Sequence, residues 1–160
     1  DVLKKMKAKI TITNKRRFSG ELVGDIEVKS SKLIATSVKK NLSPRLIDEY
    51  PILFVAAAYA KGISIFQGLD ELKFKESNRL KSMANALLDG GVKLNLGEDS
   101  IRIEGSESQS GGNLVITESD HRVAMSMLIF GLFSDKSIVI DEMKMIKTSF
   151  PKFKETFEST

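Results

Sequence analysis

Three short charged clusters stand where helices are expected to begin. They are Asp-Glu at residues 48–49, Lys-Glu-Ser-Asn-Arg at 75–79 and Asp-His-Arg at 120–122. The first turn of a helix presents free backbone N–H groups and the positive end of the helix dipole, which favour a bound carboxylate or phosphate. Acids are ordinary capping residues there, but the dipole disfavours Arg79 and Arg122 unless an anion lies nearby. If the helices lie side by side, the clusters converge on one phosphorylated or carboxylated small molecule.

The charged residues of these clusters, and Lys147 outside them, also have simpler interpretations. Glu76 and Arg79 are three residues apart and could form a surface ion pair worth a few tenths of a kcal/mol. Asp48 could act only as a helix N-cap. His121, beside an apolar helix, could be a hydrogen-bonded structural residue. Lys147, considered alone, would simply be solvent-exposed.

The composition excludes several kinds of site. The 160 residues include no cysteine and one histidine, so a disulfide framework, a thiolate zinc site, a thiol nucleophile and a multi-histidine metal site are excluded. The longest uncharged apolar run, residues 51–60, is half the length of a membrane-spanning helix. We therefore expect no membrane association, no metal and a cytoplasmic location. The chain starts at Asp1, without an initiator Met or a signal-like stretch, which predicts that it was cut from something longer.

The net charge of +4 is unevenly distributed. Residues 1–40 carry eleven Lys and Arg against four acids, whereas residues 41–160 carry fourteen against seventeen. A basic block raises the question of nucleic acid or an acidic membrane surface as a partner. Single-stranded nucleic-acid grooves combine basic residues with several aromatic ones, and Phe18 is the one aromatic residue in this block. We therefore predict a solvated surface and no nucleic-acid partner.

Hydrophobic periodicity predicts an α/β protein in which one order of elements occurs twice. A helix end, a strand pair, a third strand, a buried helix and a further strand are followed by the same order again. The strand that begins at Lys61 recurs at Lys136, 75 positions later, which indicates an internal duplication. In the first strand pair, Ile10 and Ile12 predict a half-buried strand, and the polar residues 14–17 predict its turn.

Four segments carry a resemblance to a known family. They read Ile-Asp-Glu-Tyr-Pro from residue 47, Lys-Glu-Ser-Asn-Arg from 75, Asp-His-Arg from 120 and Thr-Ser-Phe-Pro from 148. Their order and separation resemble the 5-enolpyruvylshikimate-3-phosphate (EPSP) synthases, closest to the bacterial class II branch. The resemblance implies the enolpyruvyl transferase fold, an inverse α/β barrel of repeated βαβαββ units. It further implies that residues 1–160 form most of an incomplete C-terminal domain, as two stacked repeats of about 1–75 and 76–160, and that the N-terminal domain is absent.

The resemblance also implies an activity. Members transfer the enolpyruvyl group of phosphoenolpyruvate to the 5-hydroxyl of shikimate 3-phosphate and release phosphate, in the shikimate pathway. Asp48 then contacts the shikimate hydroxyls and accepts the 5-hydroxyl proton, and Lys75 binds shikimate 3-phosphate. Glu76 handles the proton at the methylene carbon of phosphoenolpyruvate. No cofactor is implied.

The remaining implied roles belong to cations and their neighbours. The implied ligands of phosphoenolpyruvate are Arg79, Arg122 and Lys147, with Asp120 and His121 as supporting residues. Lys147 is placed by counting from the Asp-His-Arg cluster. When the sequence is aligned on Phe-Pro at residues 150–151, Thr148 takes that position instead.

Some expectations concern departures from the family and rival functions. Lys7 stands where the family usually has glycine after a helix, which disfavours a left-handed cap. Without an N-terminal domain to complete the site, we expect no useful turnover from this chain alone. Two alternatives stay open. One is a non-catalytic relic or anion-binding domain of the same fold, and the other is an enolpyruvyl transferase that acts on a UDP-sugar.

Overall fold

The structure is a computed structural model and describes residues 1–158. Positions 159 and 160 of the predicted domain lie outside the described residues. The elements in chain order are α1 (Val2–Lys5), β1 (Lys9–Phe18), β2 (Glu21–Lys29), β3 (Ser37–Val38), α2 (Tyr50–Ala58), β4 (Gly62–Gln67), α3 (Arg79–Asp89), β5 (Lys93–Leu96), β6 (Ser100–Gly105), β7 (Leu114–Val115), α4 (His121–Gly131), β8 (Val139–Ile140), α5 (Ile146–Ser149) and α6 (Phe153–Glu158). Two short 3-10 helices span Lys40–Arg45 and Asp70–Phe74. In this described part of the chain, no helix is long and apolar enough to span a bilayer.

The order helix, antiparallel strand pair, short strand, helix and parallel strand occurs twice. It runs from α1 to β4 and again from α3 to β8. In each half the short strand pairs in parallel with the closing strand, β3 with β4 and β7 with β8. An isolated parallel bridge precedes each pairing, at Ile34–Lys61 and at Gly111–Lys136. The chain is therefore an α/β protein, as the periodicity predicts, while the division into two repeats near residue 75 stays a prediction.

A four-stranded sheet joins the two halves. Its strand order is β3-β4-β6-β5, with β4 antiparallel to β6, so the second strand pair docks onto the closing strand of the first half. Gly105 at the end of β6 permits this approach, because a Cβ there would lie 1.9 Å from the carbonyl oxygen of Ala60. α2 packs on β6, where Ile101 and Ile103 are buried.

The core forms around the two apolar helices, α2 and α4. Seven of the nine α2 residues are buried. Tyr50 and Phe54 of α2 pack against Phe66 of β4, with ring centroids 6.0 and 5.1 Å apart. The Tyr50 hydroxyl lies 2.7 Å from that of Ser43, so its polar end is satisfied. The fully buried residues of α4 are Val123, Ala124, Met127 and Phe130.

The turn predicted at residues 14–17 is wrong. β1 continues through this polar run to Phe18, and the turn lies at Ser19 and Gly20, whose φ angles are 50° and 86°. The ladder continues past this run through an irregularity, where the register shifts between Thr13 and Arg16 and Asn14 has a φ of 50°, and the side chains of the run all meet solvent. The alternation that marks a half-buried strand is therefore not required here.

The half-burial predicted for β1 is observed at Ile10, which is partly buried, but not at Ile12, which is 41% exposed. Ile26 on β2 is 67% exposed, whereas Ile101 on β6 is 1% exposed. The two occupy equivalent register positions, because Ile12–Ile26 and Leu96–Ile101 are each the fourth pair counted from the open end of the hairpin. The difference arises because α2 and β4 cover β6, while β2 pairs with β1 alone among the described residues.

Lys7 adopts the left-handed conformation that a side chain disfavours. Its φ is 69°, and the cap after α1 closes with the Ala8 amide donating to the carbonyl of Leu3. The lysine therefore does not prevent this cap. It strains the cap by about 1–2 kcal/mol.

Candidate active site

The three charged clusters lie at the amino-terminal ends of three helices that pack against one another. Asp48 lies two residues before α2, Arg79 is the first residue of α3, and Asp120 is the N-cap of α4. α2 packs on α3 and on α4, and α3 packs on α4. This packing brings together side chains that are as far apart in sequence as Asp48 and Arg122, which are 74 positions apart.

Arg79 is the centre of the cluster and is fully buried. Its Nε donates to Asp120 Oδ2 at 2.8 Å, and its Nη1 donates to Asp48 Oδ1 at 3.1 Å. Its Nη2 donates to Glu76. The N–H donors of a buried guanidinium need acceptors, and three carboxylates supply them. The interpretation of Glu76 and Arg79 as an ordinary surface pair is therefore wrong, and Asp48 and Glu76, whose side chains are about half exposed, are the partners that a ligand can replace.

Asp48 is the shared partner of three cations. Besides its contact with Arg79, its carboxylate lies 3.7 Å from Lys75 Nζ and 3.9 Å from Arg122 Nη2. Its backbone carbonyl accepts from Arg122 Nη1 at 2.8 Å. Burial by itself would raise the pKa of Asp48, but the charges of Arg122 and Lys75 and the hydrogen bond from Arg79 outweigh it. They hold the pKa below its usual 3.8, so Asp48 is ionised at neutral pH.

The simpler interpretation of Asp48 as an N-cap is not supported by the geometry. The N-cap of α2 is Glu49, and no side chain forms a cap hydrogen bond there. Asp48 instead directs its carboxylate into the cation cluster. Glu49 also contributes, because its carboxylate lies 3.7 Å from Arg122 Nη1.

Asp120 is fully buried and uses both carboxylate oxygens. Oδ2 accepts from Arg79 and also from the Ser77 hydroxyl at 3.2 Å. Oδ1 accepts from the backbone amides of Arg122 and Val123 at 2.9 and 3.2 Å, which caps α4. One carboxylate therefore joins the beginnings of α3 and α4.

His121 and Glu76 form the more open side of the cluster. His121 Nδ1 lies 4.0 Å from Glu76 Oε1. The side chain of Glu76 is 47% exposed, so this carboxylate can contact a ligand as well as Arg79. Within residues 1–158, no three His, Asp or Glu side chains are grouped so that they could hold a metal ion.

Lys147 is not part of the cluster in this structure. It lies on α5 with an exposed side chain, which makes no hydrogen bond or ion pair within residues 1–158. Thr148, the alternative from the second alignment, donates its hydroxyl to the carbonyl of Met145 at 2.7 Å. The predicted ligand role of either residue stays a prediction.

Two contributors, Ser77 and Glu49, were not identified as site residues in the sequence. Both lie inside the charged clusters, so their positions are visible there. The partners of these residues cannot be recognised from the sequence, because Ser77 contacts Asp120, which lies 43 positions away in the chain. Local patterns carry no signal for such a contact.

The architecture is that of the enolpyruvyl transferases. The structure matches the enolpyruvyl transferase NikO from Streptomyces tendae with a TM-score of 0.68 at 14% identity, over 98% of this chain and 33% of that one. At that identity the likeness concerns the fold alone. A second solved structure, EPSP synthase from Acinetobacter baumannii, matches with a TM-score of 0.93 and 37% identity, over 99% of this chain and 37% of that one.

The sequence relationships identify one family within this fold. The family model described as EPSP synthase (3-phosphoshikimate 1-carboxyvinyltransferase) matches residues 1–157. The 3-phosphoshikimate 1-carboxyvinyltransferases of Bartonella quintana and Brucella abortus are 46% and 44% identical, over 96% and 94% of this chain. The chain therefore belongs to the EPSP synthase family. It spans 35% and 34% of the length of these two relatives.

Proposed function

We propose that this chain supplies part of an active site that transfers the enolpyruvyl group of phosphoenolpyruvate to the 5-hydroxyl of shikimate 3-phosphate and releases phosphate. The proposal is carried by one observation, the convergence of Lys75, Arg79 and Arg122 on the carboxylates of Asp48 and Glu76. The activity in the names of the relatives supports it. The reaction is a step of the shikimate pathway.

The reaction needs an acid and a base at separate points. The 5-hydroxyl oxygen bonds to C2 of phosphoenolpyruvate while C3 gains a proton, and the tetrahedral intermediate then loses phosphate and a C3 proton. In the proposal, ionised Asp48 accepts the hydroxyl proton and gives it to the leaving phosphate when the bond between C2 and the phosphate oxygen breaks. Glu76 delivers the proton to C3 and removes one again. Both carboxylates are about half exposed, which supports direct contact with substrate.

The cations bind the anionic groups and stabilise the anionic intermediate from fixed positions. The side chains of Lys75 and Arg122 are 28% and 32% exposed and can meet a ligand directly. Lys75 binds shikimate 3-phosphate, and Arg122 and Arg79 bind phosphoenolpyruvate, Arg79 by exchanging a protein carboxylate for the ligand. Lys147, whose side chain is exposed, remains the predicted third cation for phosphoenolpyruvate.

The proposed site is larger than this chain. Because the chain spans about a third of its relatives, we expect the other groups that bind the two substrates to come from the part of the relatives outside the match, including the predicted N-terminal domain. Closure around both substrates is then needed for reaction. The cytoplasmic location stays a prediction.

The test measures phosphate release from phosphoenolpyruvate in the presence of both substrates. It compares the 160-residue chain with a protein in which this chain replaces the matching third of the Bartonella quintana relative. We expect no turnover from the chain alone and turnover from the joined protein. Asp48→Asn and Glu76→Gln in the joined protein should each lower kcat by about 10²–10⁴-fold.

Lys75 and Lys73 provide a matched control. Both side chains are 28% exposed and ion-paired, but Lys73 pairs with Asp70, whereas Lys75 pairs with Asp48. Lys75→Ala should raise KM for shikimate 3-phosphate, and Lys73→Ala should leave it unchanged. A joined protein that binds phosphoenolpyruvate without turnover would favour the non-catalytic, anion-binding alternative. Turnover with a UDP-sugar instead of shikimate 3-phosphate would contradict the assigned substrate.

A further inference from the structure

Asp120 is bonded more extensively than a helix cap requires. The capping bonds to the amides of Arg122 and Val123 use only Oδ1. The second oxygen is left for Arg79 Nε and the Ser77 hydroxyl. Serine or asparagine would cap the helix about as well, without the cost of burying a charge. Capping therefore does not account for a buried carboxylate at this position.

The three partners of Arg79 differ in their access to a ligand. The side chains of Asp48 and Glu76, which hold Nη1 and Nη2, are 46% and 47% exposed. Asp120, which holds Nε, is fully buried. An anion entering from solvent can replace the two exposed carboxylates but not the buried one. The Nε bond therefore persists and keeps the two Nη groups directed at the ligand, the geometry that a carboxylate or phosphate accepts with two oxygens.

Asp120 also positions Arg122. Asp120 Oδ1 holds the backbone amide of Arg122, so the start of α4 is fixed by the same carboxylate that orients the Arg79 guanidinium. We propose that Asp120 is a positioning residue that fixes Arg79 and Arg122 relative to each other, so that together they bind the carboxylate and phosphate of one ligand. This inference rests on the proposed function.

The first test uses the ligand-free chain and nuclear magnetic resonance of the Arg79 Nε–H group. Bonding to a buried carboxylate should make this proton exchange slowly with water. Asp120→Ser keeps a capping oxygen and removes the Arg79 contact, so we expect exchange at least about tenfold faster with α4 still formed. Asp120→Asn retains the side-chain volume and serves as a second variant if the serine variant does not fold.

Ser82→Ala is the matched control. The Ser82 hydroxyl also links α3 to the segment before α4, by donating to Glu118 at 3.1 Å, but among the described residues it forms no hydrogen bond with either arginine. We expect this variant to leave the Arg79 proton exchange unchanged. Equal acceleration by Ser82→Ala and Asp120→Ser would overturn the positioning role, as would slow exchange in Asp120→Ser.

The second test measures phosphoenolpyruvate affinity in the joined protein. Asp120→Asn should weaken binding by at least about tenfold. In an Arg79→Lys background, which lacks Nε, the same substitution should cause little further loss. If Asp120→Asn weakens phosphoenolpyruvate binding as much in that background as it does when Arg79 is present, the inference is overturned. If the unchanged joined protein does not bind phosphoenolpyruvate, the proposed function fails, and the proton-exchange result still decides the role of Asp120.

Discussion

Asp48 is a carboxylate with three cationic neighbours and only partial burial, so its ionisation links the stability of the fold to pH. Lys75, Arg79 and Arg122 each approach it within 3.9 Å. When Asp48 is protonated, these cations face one another without their shared counter-charge. The buried Arg79 is the most affected, because it has no access to water.

The direction of this pH dependence follows from the lowered pKa of Asp48. A carboxyl with a lower pKa in the folded chain contributes stability above its unfolded value, and this is lost as the pH falls through the folded value. With an ordinary value of 3.8, we expect the loss below about pH 4. Asp48→Asn should show a shallower fall of unfolding free energy in this range, measured by denaturant titration at several pH values. Identical slopes for the two proteins would contradict the prediction.

At the scale of elements, the two antiparallel strand pairs show how neighbours decide burial. β5–β6 and β1–β2 place isoleucine at equivalent register positions, Ile101 and Ile26. Only β6 has a helix packed on its face and a second strand at its edge. The same side chain therefore serves as core in one pair and as surface in the other.

This pair of isoleucines gives a matched prediction for stability. Ile101→Ala removes a buried side chain and should lower the unfolding free energy by about 2–5 kcal/mol. Ile26→Ala removes the same atoms from an exposed site and should change it by less than about 0.5 kcal/mol. Urea denaturation of the 160-residue chain measures both. A comparable loss at Ile26 would indicate that β2 is covered in solution.

At the scale of the whole molecule, stability is concentrated where the two halves meet. The β4–β6 ladder joins the halves, and α2 packs on it, on α3 and on α4. The β1–β2 pair has a long ladder of its own but little buried apolar surface. A segment with few buried contacts opens locally, without unfolding the rest.

Hydrogen exchange of backbone amides measures this distribution. Ladder amides of β4 and β6 should exchange only through global unfolding. Those of β1 and β2 should exchange through local opening and be less protected by at least about tenfold. The pair β5–β6 is the internal control for hairpin geometry, since it is also antiparallel but lies in the central sheet. Equal protection in both hairpins would argue against local opening of β1–β2.

The predictions that succeeded depend on short-range patterns. The repeated order of strand pair, short strand, buried helix and closing strand follows from alternation and apolar periodicity, and the charged clusters follow from helix-start signals. The turn at residues 14–17 was mispredicted because polarity was taken as a turn signal in a strand open on both faces. The half-burial predicted for β1 fails at Ile12, because burial depends on which element covers the strand.

The amino-acid sequence alone determined which charged residue types stand at which helix beginnings, and hence a chemistry directed at anions. Caps, dipoles and periodicities act within one or two turns of chain, so they can be read locally. Only the tertiary structure decided that Arg79 is buried among three carboxylates, that Asp120 joins two helices and that Lys147 makes no ion pair with the cluster within residues 1–158. The contacts of Arg79 with Asp48 and Asp120 span 31 and 41 positions and depend on how α2, α3 and α4 pack, which no local pattern encodes.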